Sequence, residues 1–149
     1  MSTIRITKSF SFETGHALYG YDGLCKNVHG QSYKLDVTVM GTPITDPNHV
    51  KYGMVIDFKD LKKMVKEEIV DVFDHATVFN QNTPHVELAK TLEQSGHKVL
   101  LVDYQPTSEE MIADFALKIQ SRLPENITLH HLRLQETATS YAEWHASDQ

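Results

Sequence analysis

Cysteine, positive charge and long apolar runs are all scarce in this chain of 149 residues. Its single cysteine excludes an internal disulfide, and the opening segment MSTIRITKSF lacks the apolar core of a signal peptide. The net charge of −6, the pI near 5.8 and the absence of a basic run argue against nonspecific nucleic-acid binding. No apolar run approaches the roughly 20 residues that cross a bilayer. We therefore expect a cytoplasmic protein with neither a nucleic-acid nor a membrane partner.

The chain does contain enough apolar residues for a core and an unusual number of histidines. Hydrophobic residues make up 40% of the sequence, which suits one domain over residues 1–149. Nine histidines is a high count for this length and favours metal or proton chemistry.

Two segments of alternating polarity, residues 3–13 and 31–41, predict antiparallel strands with a long connection between them. If the first strand continues to His16, this histidine lies on the apolar face, because side chains alternate at period two. The same parity places His29 and Gln31 on the apolar face of the second strand. Cys25 lies on the connection. The three polar side chains therefore point to a common interior with the thiol nearby.

Two histidines that are two residues apart on one strand can bind zinc together. A third imidazole and an open fourth position then make a catalytic site rather than a structural one. Here the residue two positions after His29 is Gln31, and an amide is a poor zinc ligand. The alternative is that His16 and His29 are ordinary polar residues beside a loop. For Cys25, the alternative is a small core residue.

Two helices are predicted after these strands. Asp57 can cap the first helix, whose apolar stripe ends near Phe73; the stripe consists of Phe58, Leu61, Val65, Ile69 and Val72. Thr107 and Glu110 have capping-box spacing at the start of the second, whose stripe consists of Ile112, Phe115, Ala116 and Ile119.

Polar residues also stand where these elements end. Asp74 and His75 follow the first helix directly, and a solvated helix end is the plain alternative to a functional pair. In the last predicted strand Glu136 shares the parity of Leu132 and Leu134. A buried carboxylate needs a partner unless the strand bends to solvent there.

The motif Cys25-x-x-x-His29-Gly30, with Phe12-x-x-x-His16 before it, resembles the superfamily of 6-pyruvoyl- and 6-carboxy-tetrahydropterin synthases. Asp74-His75, the run Pro106 to Glu109, and Glu136-Thr137 match as well, so the likeness spans nearly the whole chain. The three-residue gap between the cysteine and His29 is more similar to the carboxy branch. Residues 81–104 fit less well and resemble an insertion, with a short helix after Pro84 and a strand over 98–102. We expect its histidines, His85 and His97, on the surface.

This resemblance implies an α+β domain of the tunnelling fold (T-fold), with an antiparallel sheet and helices on one face. Its sheets join into an oligomeric barrel, commonly a homohexamer with active sites between subunits. The implied reaction converts 7,8-dihydroneopterin triphosphate to 6-carboxytetrahydropterin, acetaldehyde and triphosphate in queuosine biosynthesis. The 6-pyruvoyl-tetrahydropterin synthase reaction, and a non-catalytic pterin-binding protein with a degenerate metal site, are the alternatives.

The resemblance also implies roles for individual residues. Zn²⁺ would be held by His16, His29 and Gln31. Cys25, Asp74 and His75 would be catalytic, moving protons. Glu136 would be both catalytic and the anchor of the pterin, and Thr107 would lie near that ring.

The family normally has a histidine at the position of Gln31, which leaves three outcomes open. The amide oxygen ligates the metal, another histidine such as His85, His130 or His131 replaces it, or the metal affinity has fallen. We favour a retained metal.

Overall fold

A six-stranded sheet organises the chain in the computed structural model, which describes residues 1–149. The strands lie in the order β4-β3-β1-β2-β5-β6. They are β1 (Ile4–His16), β2 (His29–Gly41), β3 (Ala76–Asn80), β4 (Val99–Val102), β5 (Thr128–Thr137) and β6 (Ser140–His145). The strands β1, β2, β5 and β6 are antiparallel neighbours, as predicted, whereas β3 and β4 join parallel to β1. A helix connects β3 to β4, and such a crossover connection permits their parallel pairing.

The predicted helix after Asp57 forms, with one irregularity. It comprises α1 (Phe58–Val65), a π-helical segment (Lys66–Val70) and α2 (Asp71–Phe73). The Asp57 side chain accepts the Lys59 N–H, which confirms the predicted cap. The predicted stripe is wrong at Phe58, which is 51% exposed. The π-helical segment shifts the later side chains around the axis, so Val70 and Phe73 are buried together with Ile69.

The main core lies between one face of the sheet and the helices α1 and α4 (Ser108–Gln120). Leu35 and Val37 of β2 are completely buried there, as are Phe115 and Ile119 of α4. The opposite face of β1 and β2 is polar and carries cross-strand hydrogen bonds, Thr7 to Thr38, Ser9 to Asp36 and Ser32 to Glu13. The predicted α+β class is therefore confirmed.

Residues 81–104 form α3 (His85–Gln94) and β4, which confirms the helix and strand predicted in this segment. Gly96 between them has φ 90°, a left-handed conformation that glycine adopts without a steric penalty. Ala89 of α3 packs with Phe79. Phe79 follows the core residue Val78 directly in β3, so its side chain points to the opposite face of the sheet. The short helix therefore covers the other face of the sheet at its β3–β4 edge.

The two histidines of this segment differ. His97 is exposed, as expected. The expectation is wrong for His85, which is half-buried with its ring 5.2 Å from that of Tyr19 and 5.4 Å from that of Phe79.

None of these helices combines the length and the apolar character that a membrane-spanning segment requires.

Candidate functional site

Two histidines meet at the end of the β1–β2 pair. The register places His16 directly opposite His29, and no bulge interrupts it between the two strands. Their ring centroids lie 4.5 Å apart. His16 is only 2% exposed, so the parity argument placed it correctly on the apolar face.

Hydrogen bonds fix which ring nitrogen of each histidine is free. His16 Nδ1 lies 2.7 Å from the carbonyl oxygen of Pro106, and His29 Nδ1 lies 2.7 Å from that of Asn27. A carbonyl oxygen only accepts, so each Nδ1 carries the hydrogen and each Nε2 keeps a lone pair. Both Nε2 atoms are buried and have no hydrogen-bond partner. Two adjacent lone pairs of this kind form a cradle that suits a metal ion.

The charge state of His16 agrees with this arrangement. Burial lowers the pKa of His16 below its usual value, and the nearby His29 acts in the same direction. The Pro106 carbonyl and Glu136 partly oppose that shift. The neutral imidazole, which is the form that binds metals, is therefore favoured at neutral pH.

A cavity of about 450 Å³ opens beside His16. Its lining joins three distant parts of the chain: the loop from Leu18 to Cys25, the start of α4, and the end of β5. Cys25 is half-buried and lies on this lining together with Thr107 and Glu136. The structure therefore brings the thiol, the imidazole and the carboxylate into one cavity.

Glu136 is held in place from two sides. Its Oε2 accepts a hydrogen bond from Ser108 Oγ at 2.8 Å, and its Oε1 lies 3.8 Å from His16 Nε2. The pairing of β5 with β6 is irregular between Gln135 and Thr137, so a bulge presents this carboxylate. Its side chain is 28% exposed, in keeping with a position at the cavity wall.

The first turn of α4 offers free donors to the same cavity. The Thr107 side chain accepts the Glu110 N–H, which confirms the predicted cap. The backbone N–H groups of Ser108 and Glu109 have no backbone partner. Both residues line the cavity together with Glu136.

Two contributors to this site were not predicted from the sequence as such. Ser108 appeared only as part of the helix cap, and its contact with Glu136 joins residues 28 apart in the chain. Tyr33 is 1% exposed with its ring 6.2 Å from that of His16, and burial raises its pKa well above the usual value. The signal available in the sequence was that Tyr33 and His29 are an even number of residues apart on one strand, and therefore share a face.

Asp74 and His75 form a pair, but they lie outside this cavity. Asp74 Oδ1 accepts the Glu13 N–H at 2.9 Å and lies 3.0 Å from His75 Nδ1. The Glu13 N–H lowers the pKa of the Asp74 carboxyl, and His75 contributes to the same shift. His75 has φ 60°, a conformation that is strained for a residue other than glycine, and its side chain is 77% exposed. Such strain concentrates at functional positions.

Gln31 and His75 both line a second, shallower depression rather than the cavity of Cys25. Gln31 lies opposite Thr14 in the strand register, next to the His16–His29 pair. Hydrogen bonds form at its neighbours His29 and Ser32, but the half-buried Gln31 side chain makes none. Its amide is therefore uncommitted.

The histidines considered as replacements for Gln31 lie elsewhere. His131 pairs with Thr38, nine residues along β2 from His29, or roughly 30 Å at strand spacing. His130, His131 and His145 instead form their own group, in which one ring nitrogen of each lies within 4.8 Å of the others and could hold a metal ion. The ring of His85 packs against that of Tyr19, which lies on the loop after β1. Replacement of Gln31 by His130 or His131 of the same chain is therefore wrong.

The T-fold sheet, the imidazole pair and the carboxylate beside a helix start define this protein as a domain of the pterin-synthase class. A family model described as 6-pyruvoyl tetrahydropterin synthase matches residues 5–147, and the chain belongs to this family of lyase-type pterin synthases.

Individual relatives of known sequence support the same family, and a solved structure supports the fold. The 6-carboxy-5,6,7,8-tetrahydropterin synthase of Haemophilus influenzae is 39% identical over 141 residues, which cover 94% of this chain and 97% of that protein. The protein of the same name from Aquifex aeolicus is 30% identical, over 93% of this chain and 96% of its own. The 6-pyruvoyl tetrahydropterin synthase structure of Caenorhabditis elegans superposes with a TM-score of 0.68 at 24% identity, over 98% of this chain and 97% of its own. The last similarity supports the fold.

Proposed function

We propose that this protein is a 6-carboxy-5,6,7,8-tetrahydropterin synthase. It converts 7,8-dihydroneopterin triphosphate and water to 6-carboxytetrahydropterin, acetaldehyde and triphosphate, a step of queuosine biosynthesis. Relatives that carry the name of this enzyme match nearly the whole chain at up to 39% identity, which supports the proposal. The observation that carries it is the single cavity that holds His16, Cys25 and Glu136.

We propose that the metal is Zn²⁺, held through the Nε2 atoms of His16 and His29. Their backbone hydrogen bonds leave these atoms free, and no other group of the chain satisfies them. The Gln31 amide oxygen is the third ligand, since it stands next to the pair and is uncommitted. A bound zinc ion supplies Lewis-acid stabilisation at the side-chain oxygens of the substrate.

Glu136 and the first turn of α4 would orient the pterin. A carboxylate suits the two parallel N–H groups of the pterin ring, because bidentate charge-assisted bonds fix both position and angle. The Ser108 hydroxyl already occupies one side of Oε2 and limits the rotation of the carboxylate. The free N–H groups after Thr107 are available to acceptors of the ring.

Cys25 would move the proton at the substrate side-chain carbons, since its thiol lies on the cavity wall beside His16. Asp74 and His75 would assist from another copy of the chain. The reason is geometric: within one chain His75 lines a different depression, and this exposed, strained histidine is free to reach a neighbour. This arrangement requires a homo-oligomer with active sites between subunits, for which we propose a homohexamer.

The test is product analysis with 7,8-dihydroneopterin triphosphate. We expect acetaldehyde, triphosphate and 6-carboxytetrahydropterin in equal amounts. Cys25→Ala should lower kcat by about 10²–10⁴-fold, which is the usual contribution of a general acid or base. His97→Ala, on the exposed loop after α3, is the control and should leave the rate unchanged.

Two results would overturn the proposal. A product that retains the side-chain carbons, without acetaldehyde, would indicate the pyruvoyl-forming reaction. Binding of the pterin with no turnover would indicate a non-catalytic protein.

A further inference from the structure

We propose that His130, His131 and His145 form a second metal site, which binds a late first-row divalent cation such as Zn²⁺ and cross-links the last two strands. One ring nitrogen of each histidine lies within 4.8 Å of the others. The site is distinct from the His16–His29 pair, because it lies near the other end of β2.

A β-bulge brings the first two of these histidines together. Consecutive residues of a regular strand point to opposite faces of the sheet, so His130 and His131 would normally diverge. Here the register of β2 with β5 shifts, since Thr38 pairs with His131 and Val39 with Leu129. His130 is the extra residue of this bulge, and bulges redirect side chains in this way. The two Nδ1 atoms consequently lie only 2.8 Å apart.

The third ligand comes from the edge strand. His145 of β6 lies directly opposite His131 of β5, and their rings stack 4.9 Å apart with an interplanar angle of 8°. The ring of His130 is 6.3 Å from that of His145. The group thus joins two strands that are neighbours in the sheet but 14 residues apart in sequence between His131 and His145.

The spacing is close to what a metal needs. Zinc binds imidazole nitrogen at about 2.0–2.1 Å in a tetrahedral arrangement, so bound nitrogens lie roughly 3.4 Å apart. The observed limit of 4.8 Å and the shortest separation of 2.8 Å bracket that value. Imidazole ligands suit zinc, copper and nickel better than calcium or magnesium.

The surroundings supply a supporting carboxylate. Glu143 Oε2 lies 3.5 Å from His145 Nε2, and a carboxylate beside a metal-binding imidazole commonly orients it. All three histidines are half-buried, on the part of the sheet that carries the Thr7–Thr38 hydrogen bond. A cation held here would tie the edge strand β6 to β5 and stabilise the end of the chain.

The test measures zinc binding in the full chain after the first histidine pair is removed. In a His16→Asn/His29→Asn background, each asparagine keeps an N–H near the backbone carbonyl but lacks Nε2. We expect this variant to retain a zinc ion in a competition titration with a chromophoric chelator. Added zinc should raise its Tm. Addition of His131→Ala should weaken the remaining affinity by at least about 100-fold, because even residues that only orient a ligand contribute about 10–100-fold.

His97→Ala in the same background is the matched control and should leave the zinc affinity unchanged, since this histidine is exposed and far from the group in sequence. His145→Ala serves as a second variant and should act like His131→Ala, with circular dichroism as the check that both fold. An unchanged zinc affinity in both variants, or no zinc binding in the double-asparagine background, would overturn the proposal. Neither result depends on pterin turnover, so the test is independent of the proposed function.

Discussion

Replacement of Gln31 by histidine is the most informative perturbation of the candidate metal centre. The position lies opposite Thr14 and next to the His16–His29 pair, on the face of β2 that carries the buried Tyr33. A histidine there would add a third imidazole to two whose Nε2 atoms are already free. We therefore expect Gln31→His to bind zinc more tightly than the natural chain.

The size of the effect follows from what the substitution changes. The Gln31 side chain makes no hydrogen bond, so its loss leaves no buried group without a partner. The free energy of unfolding without metal should change by no more than about 0.5 kcal/mol. Residues that merely orient a metal ligand change the affinity by about 10–100-fold, and replacement of a weak ligand by a strong one should do at least as much. This corresponds to about 1.4–2.8 kcal/mol.

The assay is a zinc competition titration with a chromophoric chelator at fixed pH. Gln94→His, the same chemical change at an exposed position of α3, is the control and should bind zinc as the natural chain does. His131→Ala is included in every protein of the series, so that only one set of histidines is measured. An affinity of Gln31→His equal to or below that of the Gln31 protein would refute the placement of residue 31 at the metal.

Four further predictions concern the carboxylate, the strained pair and the core. Ser108→Ala should raise the KM for the pterin, because a hydrogen bond to a charged group contributes about 1.5–3 kcal/mol and Glu136 loses its positioning partner. Asp74→Asn should destabilise the protein by about 1 kcal/mol or less at neutral pH, as this carboxyl is 38% exposed. The pKa of Asp74 is lowered in the folded state, so the difference should persist above about pH 3.9 and vanish as the pH falls through the folded pKa. His75→Gly should abolish most turnover but change the free energy of unfolding by less than about 1 kcal/mol, because glycine accepts φ 60° without strain. Phe115→Ala should cost about 3–5 kcal/mol, since the ring is completely buried against two other aromatic rings.

Each of these has a measurement that can contradict it. Steady-state kinetics of Ser108→Ala would do so if kcat/KM stayed at the natural value. Urea unfolding between pH 2 and 7 would argue against the Asp74 prediction if the difference from Asp74→Asn grew toward acid pH. For His75→Gly, the contrary results are full activity or a loss of stability well above 1 kcal/mol. For Phe115→Ala, a loss below about 1 kcal/mol in the same urea assay would show that the ring does not carry the core.

Strand parity was enough to predict the imidazole pair. The register between β1 and β2 runs without a bulge from Ile4 to His16, so counting in twos from the apolar residues placed His16 and His29 correctly. The two helix caps, at Asp57 and Thr107, were also predictable, because capping depends on residues three or fewer positions apart.

Features that depend on irregular backbone were not predictable from the sequence. The π-helical segment turned Val70 and Phe73 toward the core beside Ile69, which regular helical spacing does not predict. The bulge at His130 brought together two histidines that strict alternation would separate. The contact of Ser108 with Glu136 depends on how α4 packs on the sheet, which no local pattern specifies. Gln31 was predicted on the correct face of β2. The family that the surrounding motif resembles, however, normally has a histidine at this position.

Anomalous diffraction at the zinc edge, from crystals of the zinc-loaded protein, tests the central claim most directly. Neutral His16 and His29, each with its Nδ1 bound to a backbone carbonyl, should hold the metal through Nε2. The account predicts a peak at about 2.0–2.1 Å from both Nε2 atoms, at the edge of the cavity that contains Cys25 and Glu136. Zinc bound only at other residues, with both Nε2 atoms still unliganded, would contradict it.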